Sequence, residues 1–151
     1  GQAVSYFRQT ISLNIDRTEM YYWTNVDKSS EISVNLANEL AIAYKKKRNY
    51  DKAYLFYKEL LQKAPNNVDF LGNYYYLMAE REKKQLETDY KKISSPTKMQ
   101  YARYRDGLSK VFATGYEKAR SSLQKVVLRF PSTEAQKTLD KILRIEKEVN
   151  R

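Results

Sequence analysis

Residues 40–65 read LAIAYKKKRNYDKAYLFYKELLQKAP, and this stretch decides how the chain folds. Its small and aromatic side chains recur at a helical period rather than at the period of two that marks a strand. Ala41 and Ala53 are small enough to let two helix backbones approach closely, and the neighbouring tyrosines fill the space beside them. Pro65 ends the second helix because proline cannot continue one. The stretch therefore predicts two short antiparallel helices joined by a tight turn.

This pattern resembles the tetratricopeptide repeat, a helix-turn-helix unit of about 34 residues. A second stretch, GYEKA at 115–119, repeats the NYDKA of 49–53, so a turn followed by a helix is expected at both places. Ala119 follows Ala53 by 66 residues, close to two repeat lengths of about 34. The resemblance implies an all-α fold of six to eight helices, stacked as antiparallel hairpins in a right-handed tetratricopeptide-like superhelix.

The same resemblance divides the chain into an N-terminal segment and a repeat domain. The middle repeat is degenerate, because Glu87 stands in a highly charged run where a small residue is expected. The predicted organisation is an N-terminal helical segment that packs on the repeats (1–33) and a tetratricopeptide-like domain (34–149), with units at about 34–67, 68–99 and 100–133 and a capping helix at 134–149.

Capping residues predict where helices begin. Asp16 with Glu19 three residues later indicates one start, and Ser30 a second. Ser95 followed by Pro96 predicts another, because proline suits the first position of a helix. Before residue 27, apolar residues favour two helices or one kinked helix, although part of the pattern also alternates as a strand would.

The composition bounds the function classes. The 151 residues are 42% hydrophobic and 30% charged, and they include 4 Gly and 3 Pro, which is typical of a folded, helix-rich domain. The absence of Cys and His excludes disulfides, cysteine nucleophiles and a Ser-His-Asp triad. Glu80 and Glu87 lie among lysines, and no glycine-rich phosphate loop occurs. We expect no enzyme activity, no metal and no cofactor. No apolar run reaches the roughly 20 residues that a helix needs to span a bilayer.

The net charge of +10 is concentrated in the two segments that look most like repeats. Residues 34–67 carry a net +4 and residues 100–133 a net +5. Nucleic acid or another polyanion is therefore the alternative partner. The cations that could serve it are Lys45, Lys46, Lys47, Arg48, Arg103, Arg105, Lys118 and Arg120. The first four also complement the negative end of a helix, and no known nucleic-acid-reading motif accompanies them.

In tetratricopeptide proteins the first helix of each pair lines a concave face that usually binds a peptide. The resemblance places eight residues on that face, where asparagines suit an extended backbone and cations suit acidic groups. They are Asn35, Asn38, Ile42, Lys45, Asn73, Tyr76, Tyr101 and Arg105.

Two finer expectations concern this face. Some relatives clamp a terminal carboxylate with a Lys and paired asparagines, but Asn38 stands in place of that Lys and Ile42 in place of the first Asn. A clamp for a chaperone tail is therefore not expected. Consecutive helical residues point about 100° apart, so Tyr74, Tyr75 and Tyr76 cannot form one platform. We expect the first two in the core and Tyr76 on the surface.

The sequence thus predicts a non-catalytic scaffold or adaptor that binds another protein or peptide through a concave helical surface. An acidic partner is one form of this prediction. The chain begins Gly1-Gln2-Ala3 without Met, which favours a periplasmic or exported protein whose signal peptide has been removed, with a cytoplasmic location left open. Trp23 is expected to pack in the core. The oligomeric state and the partner are not encoded in any recognisable motif.

Overall fold

The computed structural model describes residues 1–151 and is all-helical, as predicted. Contacts divide the chain into two compact units, residues 1–66 and 67–151. None of the helices is long and apolar enough to cross a membrane. The elements are α1 (Gln2–Leu13), α2 (Ile15–Asn25), α3 (Glu31–Lys46), α4 (Tyr50–Lys63), α5 (Val68–Lys91), α6 (Lys98–Val111), a π-helical stretch (Phe112–Tyr116), α7 (Glu117–Arg129) and α8 (Thr133–Val149).

Short polar side chains begin most of these helices by accepting a hydrogen bond from an otherwise unpaired backbone N–H. The predicted cap Ser30 is confirmed, and Ser132 caps α8 in the same way. Two other predicted starts are wrong. Asn14 rather than Asp16 caps α2, and Thr97 rather than Ser95 caps α6, because Thr97 forms a reciprocal capping box with Gln100 while Ser95 sits at a left-handed φ of 54°.

In the first unit, α3 and α4 form the antiparallel pair that the opening stretch predicts. Ala41 and Ala53 are both fully buried, so the two backbones meet closely. The turn ends with Arg48 at a left-handed φ of 61°, while Asn49 N–H donates to Tyr44 O at 2.9 Å. Helices α1 and α2 are separate, and both pack on α3.

A carboxylate ties α2 to this pair. Glu19 Oε1 accepts hydrogen bonds from Tyr44 Oη at 2.6 Å and Lys52 Nζ at 2.7 Å. Glu19 Oε2 accepts from Trp23 Nε1 at 3.0 Å. Burial opposes ionisation of Glu19, but these hydrogen bonds outweigh it and hold the pKa of the carboxyl below its ordinary value. The carboxylate therefore joins three helices of the unit.

Aromatic rings complete this part of the core. Tyr22 is fully buried and meets Phe56 edge-on, with ring centroids 5.4 Å apart. Trp23 stacks on Phe56 but stays 38% exposed, so it lies at the edge of the core rather than inside it as predicted. The Tyr22 hydroxyl is buried without a hydrogen-bond partner. Burial, followed by the negative charge of Glu59, raises the pKa of Tyr22 to about 12.

In the second unit, α5 packs antiparallel against one continuous helical run, residues 98–129. The predicted turn at Gly115 is wrong. The chain stays helical there through a π turn, in which Glu117 N–H donates to Phe112 O. The reason is tertiary, because Phe112 and Tyr116 are both buried and α5 is continuous opposite this point, where Ala79 faces Gly115.

Small residues set the register of this long pair. A side chain at Gly115 would place its Cβ 2.6 Å from Ala79 Cβ, and one at Gly72 would lie 2.7 Å from Leu123 Cγ. Gly107 faces Leu86 in the same way at 3.2 Å. These contacts fall every seven residues on α5 and every eight on the facing run, and the wider π turn takes up an additional residue.

Helix α8 is fastened to the rest of its unit at two points. Arg120 reaches Glu146 with two hydrogen bonds of 3.0 Å, and it also pairs with Glu117. The hydrogen bond to Glu146, and after it the one to Glu117, raises the pKa of Arg120 above its ordinary value. Arg105 donates to the carbonyl oxygens of Val149 at 2.6 Å and Glu148 at 3.3 Å, at the negative end of α8.

Replacing Gly115 with Ala should destabilise the protein, because the added methyl group has no space against Ala79. We expect the free energy of unfolding to fall by about 1–3 kcal/mol in chemical denaturation. Gly107→Ala is the matched control. Its new Cβ meets the mobile end of Leu86 at 3.2 Å, and Ala gains about 1 kcal/mol of helix propensity over Gly. A Gly115→Ala variant as stable as Gly107→Ala would contradict the tight contact.

Replacing Tyr22 with Phe should leave stability unchanged or raise it by up to about 1 kcal/mol, because the lost hydroxyl is buried and unpaired. Tyr44→Phe removes a hydroxyl that donates to Glu19 and should lower the free energy of unfolding by about 1–3 kcal/mol. Thermal and urea unfolding of the two variants check this pair. An equal fall in the free energy of unfolding of both variants would show that the Tyr22 hydroxyl has a hydrogen-bond partner.

Candidate functional site

An apolar groove lies on the first unit between α1, α2 and α3, with a volume of about 460 Å³. Four large side chains line it and remain open to solvent: Leu13 is 80% exposed, Tyr6 63%, Ile32 53% and Tyr21 52%. Apolar side chains this exposed and this close together mark a binding surface more often than isolated ones do. This groove is the candidate functional site.

The α1–α2 turn builds one wall of the groove. Thr18 Oγ1 donates to the carbonyl oxygens of Asn14 at 2.8 Å and Thr10 at 3.2 Å, and Asn14 Oδ1 accepts from Arg17 N–H at 3.1 Å. These bonds satisfy the polar groups of the turn internally. A ligand that displaces water from the groove therefore meets mainly apolar surface.

The opposite wall belongs to α3, which is joined to α1 by an ion pair. Arg8 Nε lies 2.5 Å from Glu39 Oε1, and the Glu39 side chain is only 6% exposed. A carboxylate buried to this extent needs a charged partner, so the pair fixes how α1 lies on α3. Ile32 and Leu36 supply the apolar side chains of this wall.

Arg17 is the charged residue that lines the groove. It is exposed, at the start of α2, and its guanidinium can meet a carboxylate. Thr10, Asn14 and Thr18 provide the other polar atoms. No cluster of three or more acidic side chains in the structure is placed to hold a metal ion. The site therefore offers apolar contacts and one cation.

The structure places the predicted concave-face residues of α3 beside this groove rather than in it. Asn35 is exposed, Asn38 and Ile42 are half-buried, and Lys45 is 9% exposed. Asn38 Oδ1 is buried without a hydrogen-bond partner. Spacings of three and four put these side chains on one face of α3. Their peptide-binding role stays a prediction.

The predicted site residues of the second unit are dispersed. Asn73 is buried, and its amide donates to Asp69 O at 2.9 Å. Tyr76 is 2% exposed and packs edge-on against Tyr116, so the prediction that it lies on the surface is wrong. Tyr74 and Tyr75 are instead only half-buried. The rotation of α5 about its own axis turns Tyr76 toward the 98–129 run, and the sequence alone did not predict this orientation.

The remaining two predicted residues differ from each other. Tyr101 is 51% exposed, and its ring lies 6.2 Å from that of Tyr90. Arg105 is half-buried and holds the end of α8. Arg120 likewise pairs with Glu146, and Lys45 is buried. Three of the eight cations that could bind a polyanion, counting Arg105, therefore serve the fold instead.

The groove residues themselves were missed by sequence reasoning. Leu13, Tyr21 and Ile32 fall outside the apolar stripe that each helix turns to the core. That outward position was the signal in the sequence that could have identified them, because exposed apolar side chains in a cluster mark binding surfaces. The signal is weak in one sequence, because single exposed apolar residues are common on ordinary surfaces.

Comparison with known proteins relates the chain to a crystallised bacterial protein. No protein-family model and no curated protein sequence matches the chain. The chain is 72% identical to a crystallised protein from Bacteroides ovatus ATCC 8483 that is described as a "putative protein binding protein". The match covers 99% of this chain and 90% of that one, with a TM-score of 0.52. The chain therefore belongs to the same family as this Bacteroides ovatus protein.

Proposed function

We propose that this protein is a non-catalytic binding module that holds a segment of another protein in the groove between α1, α2 and α3. The observation that carries the proposal is the row of exposed Tyr6, Leu13, Tyr21 and Ile32 around a volume of about 460 Å³. The description of the Bacteroides ovatus relative as a candidate protein-binding protein agrees with it.

The chemistry of the groove favours one kind of occupant. Its walls are apolar and aromatic, and the charged side chain that lines it is the cation Arg17. A peptide segment with two or more large apolar side chains and one carboxylate matches both features. Aromatic anchors in such a groove supply most of the affinity, while the ion pair orients the peptide.

We also propose a tetratricopeptide-like arrangement for the first unit. Two helical hairpins, α1–α2 and α3–α4, with the first helix of one packed on the first helix of the next, support this. The second unit departs from the pattern, because α5 faces an uninterrupted run of two helices. We therefore propose that the peptide binds to the first unit.

Changing Leu13 to Lys should weaken peptide binding, because it places a charged side chain on the apolar wall of the groove. Phage displaying random peptides are selected on the wild-type protein, and the enriched peptides are synthesised and titrated. We expect apolar peptides with an acidic residue, whose binding weakens at least about tenfold in Leu13→Lys. Arg17→Glu should weaken the same peptides by about fivefold, because attraction to their carboxylate becomes repulsion.

Leu128→Lys is the matched control, since Leu128 is 84% exposed, much like Leu13 at 80%, but lies on α7 outside the groove. It should bind the selected peptides as the wild type does. Peptides that bind Leu13→Lys and wild type equally would refute the proposed site. Selection that enriches no peptide above the Leu13→Lys background would refute it as well.

A further inference from the structure

A two-helix arm extends through the second half of α5 and the first half of α6. Residues 80–107 contain no side chain that is buried, although the helices are continuous on both sides of the 92–97 turn. The two helices of the arm pack on each other, with the stacked rings of Tyr90 and Tyr104 lying 4.4 Å apart, and Arg105 joins the arm to the end of α8. One face of this pair remains open.

That open face is a single groove along the arm. Two adjoining depressions, of about 290 and 400 Å³, share Leu86 and together follow both helices. Tyr90, Ile93 and Tyr104 continue the apolar row. The α5 residues that line it recur at spacings of three and four, as do those of α6, which is the pattern of a helix seam that lacks a facing partner.

Charges flank the row on opposite sides. The α5 edge carries Glu82 and Asp89, seven residues and thus two helical turns apart. The α6 edge carries Arg103 and Lys110, also seven apart. None of the four side chains is in an ion pair within the chain. The face therefore has one acidic edge and one basic edge.

The register of the hairpin aligns these edges. Because Leu86 faces Gly107 and Tyr90 faces Tyr104, Glu82 lies level with Lys110 across the groove. By the same register Asp89 lies level with Arg103, two turns farther along the arm. Each carboxylate thus has a cation at its own height on the other edge.

We propose that this face binds the same face of a second copy of the chain. A twofold axis along the arm places the α5 edge of one copy over the α6 edge of the other and keeps the heights unchanged. Glu82 then meets Lys110 of the other copy, and Asp89 meets Arg103. Neighbouring helices are all antiparallel in the resulting four-helix bundle, and the apolar rows of Leu86 and Tyr90 close on each other.

The charge pattern selects this occupant and this orientation. A twofold axis across the arm would oppose acidic edge to acidic edge, which is repulsive. A uniformly acidic or basic helix from another protein would be attracted by one edge and repelled by the other. A second copy brings both signs at the required spacing. The contact is independent of the groove on the first unit.

The dimer is expected to be concentration-dependent. The open face spans roughly 16 Å on its α5 side, from the eleven steps of about 1.5 Å between residues 82 and 93, and is about two helices wide. An interface of that size belongs to the small, transient class. Sedimentation equilibrium from about 5 µM to about 500 µM should show a monomer–dimer equilibrium of the full chain.

Charge reversal tests the proposal. The acidic-edge variant combines Glu82→Lys with Asp89→Lys, and the basic-edge variant combines Arg103→Glu with Lys110→Glu. Each variant alone should dimerise at least about tenfold more weakly than wild type, because like charges meet at all four positions. An equimolar mixture of the two should recover a heterodimer, because every position again pairs opposite charges.

The combination Lys84→Glu with Lys91→Glu is the matched control. These lysines are exposed on α5, seven residues apart and outside the groove, and the change in charge equals that of the basic-edge variant. This control should dimerise as the wild type does, and circular dichroism should show equal helix content in all variants. A monomeric wild type, variants that still dimerise singly, or a mixture that stays monomeric would each overturn the proposal.

Discussion

The close contact of Gly115 with Ala79 is the constraint on which the second unit depends. With no side chain at one position and a single methyl group at the other, the two backbones approach until the next atom would clash. This contact fixes the register of α5 against the 98–129 run, Gly72 makes a similarly close contact with Leu123, and Gly107 meets Leu86 at a wider distance. The arm inherits that register, so the alignment of its charged edges follows from a packing requirement in the core.

The two proposed surfaces bind through different interactions. The groove on the first unit is concave, aromatic and nearly uncharged, so its binding should come from apolar burial and persist in salt. The arm face is shallow and edged with charge, so its specificity comes from matching signs at fixed heights. One surface suits a short segment of another protein, while the other suits a partner of the same shape.

Local sequence was sufficient for the α3–α4 pair of the first unit and misleading for the second unit. The α3–α4 pair follows from its period, its two alanines and its turn, all of which lie within 26 residues. The similar GYEKA stretch predicted a turn because it resembles NYDKA. A residue that permits a helix to end is not sufficient, however, because a helix end also needs groups that cap it. Asn49 caps a helix through its side chain, whereas Gly115 has none and instead admits Ala79. Whether a glycine ends a helix or receives a neighbour is decided by residues far away in the sequence.

The same dependence explains why neither surface was visible in the sequence. The exposed Leu13 and Ile32 are 19 positions apart, and only the packing of α1 on α3 brings them to one groove. Likewise Glu82 and Lys110 belong to different helices, and an alternative register would pair like charges or none. An arm whose only task was to join α5 to α6 would be more soluble with polar residues along its open face. The apolar row there lowers solubility without adding to the core of its own chain, and burial in a second chain would recover that cost.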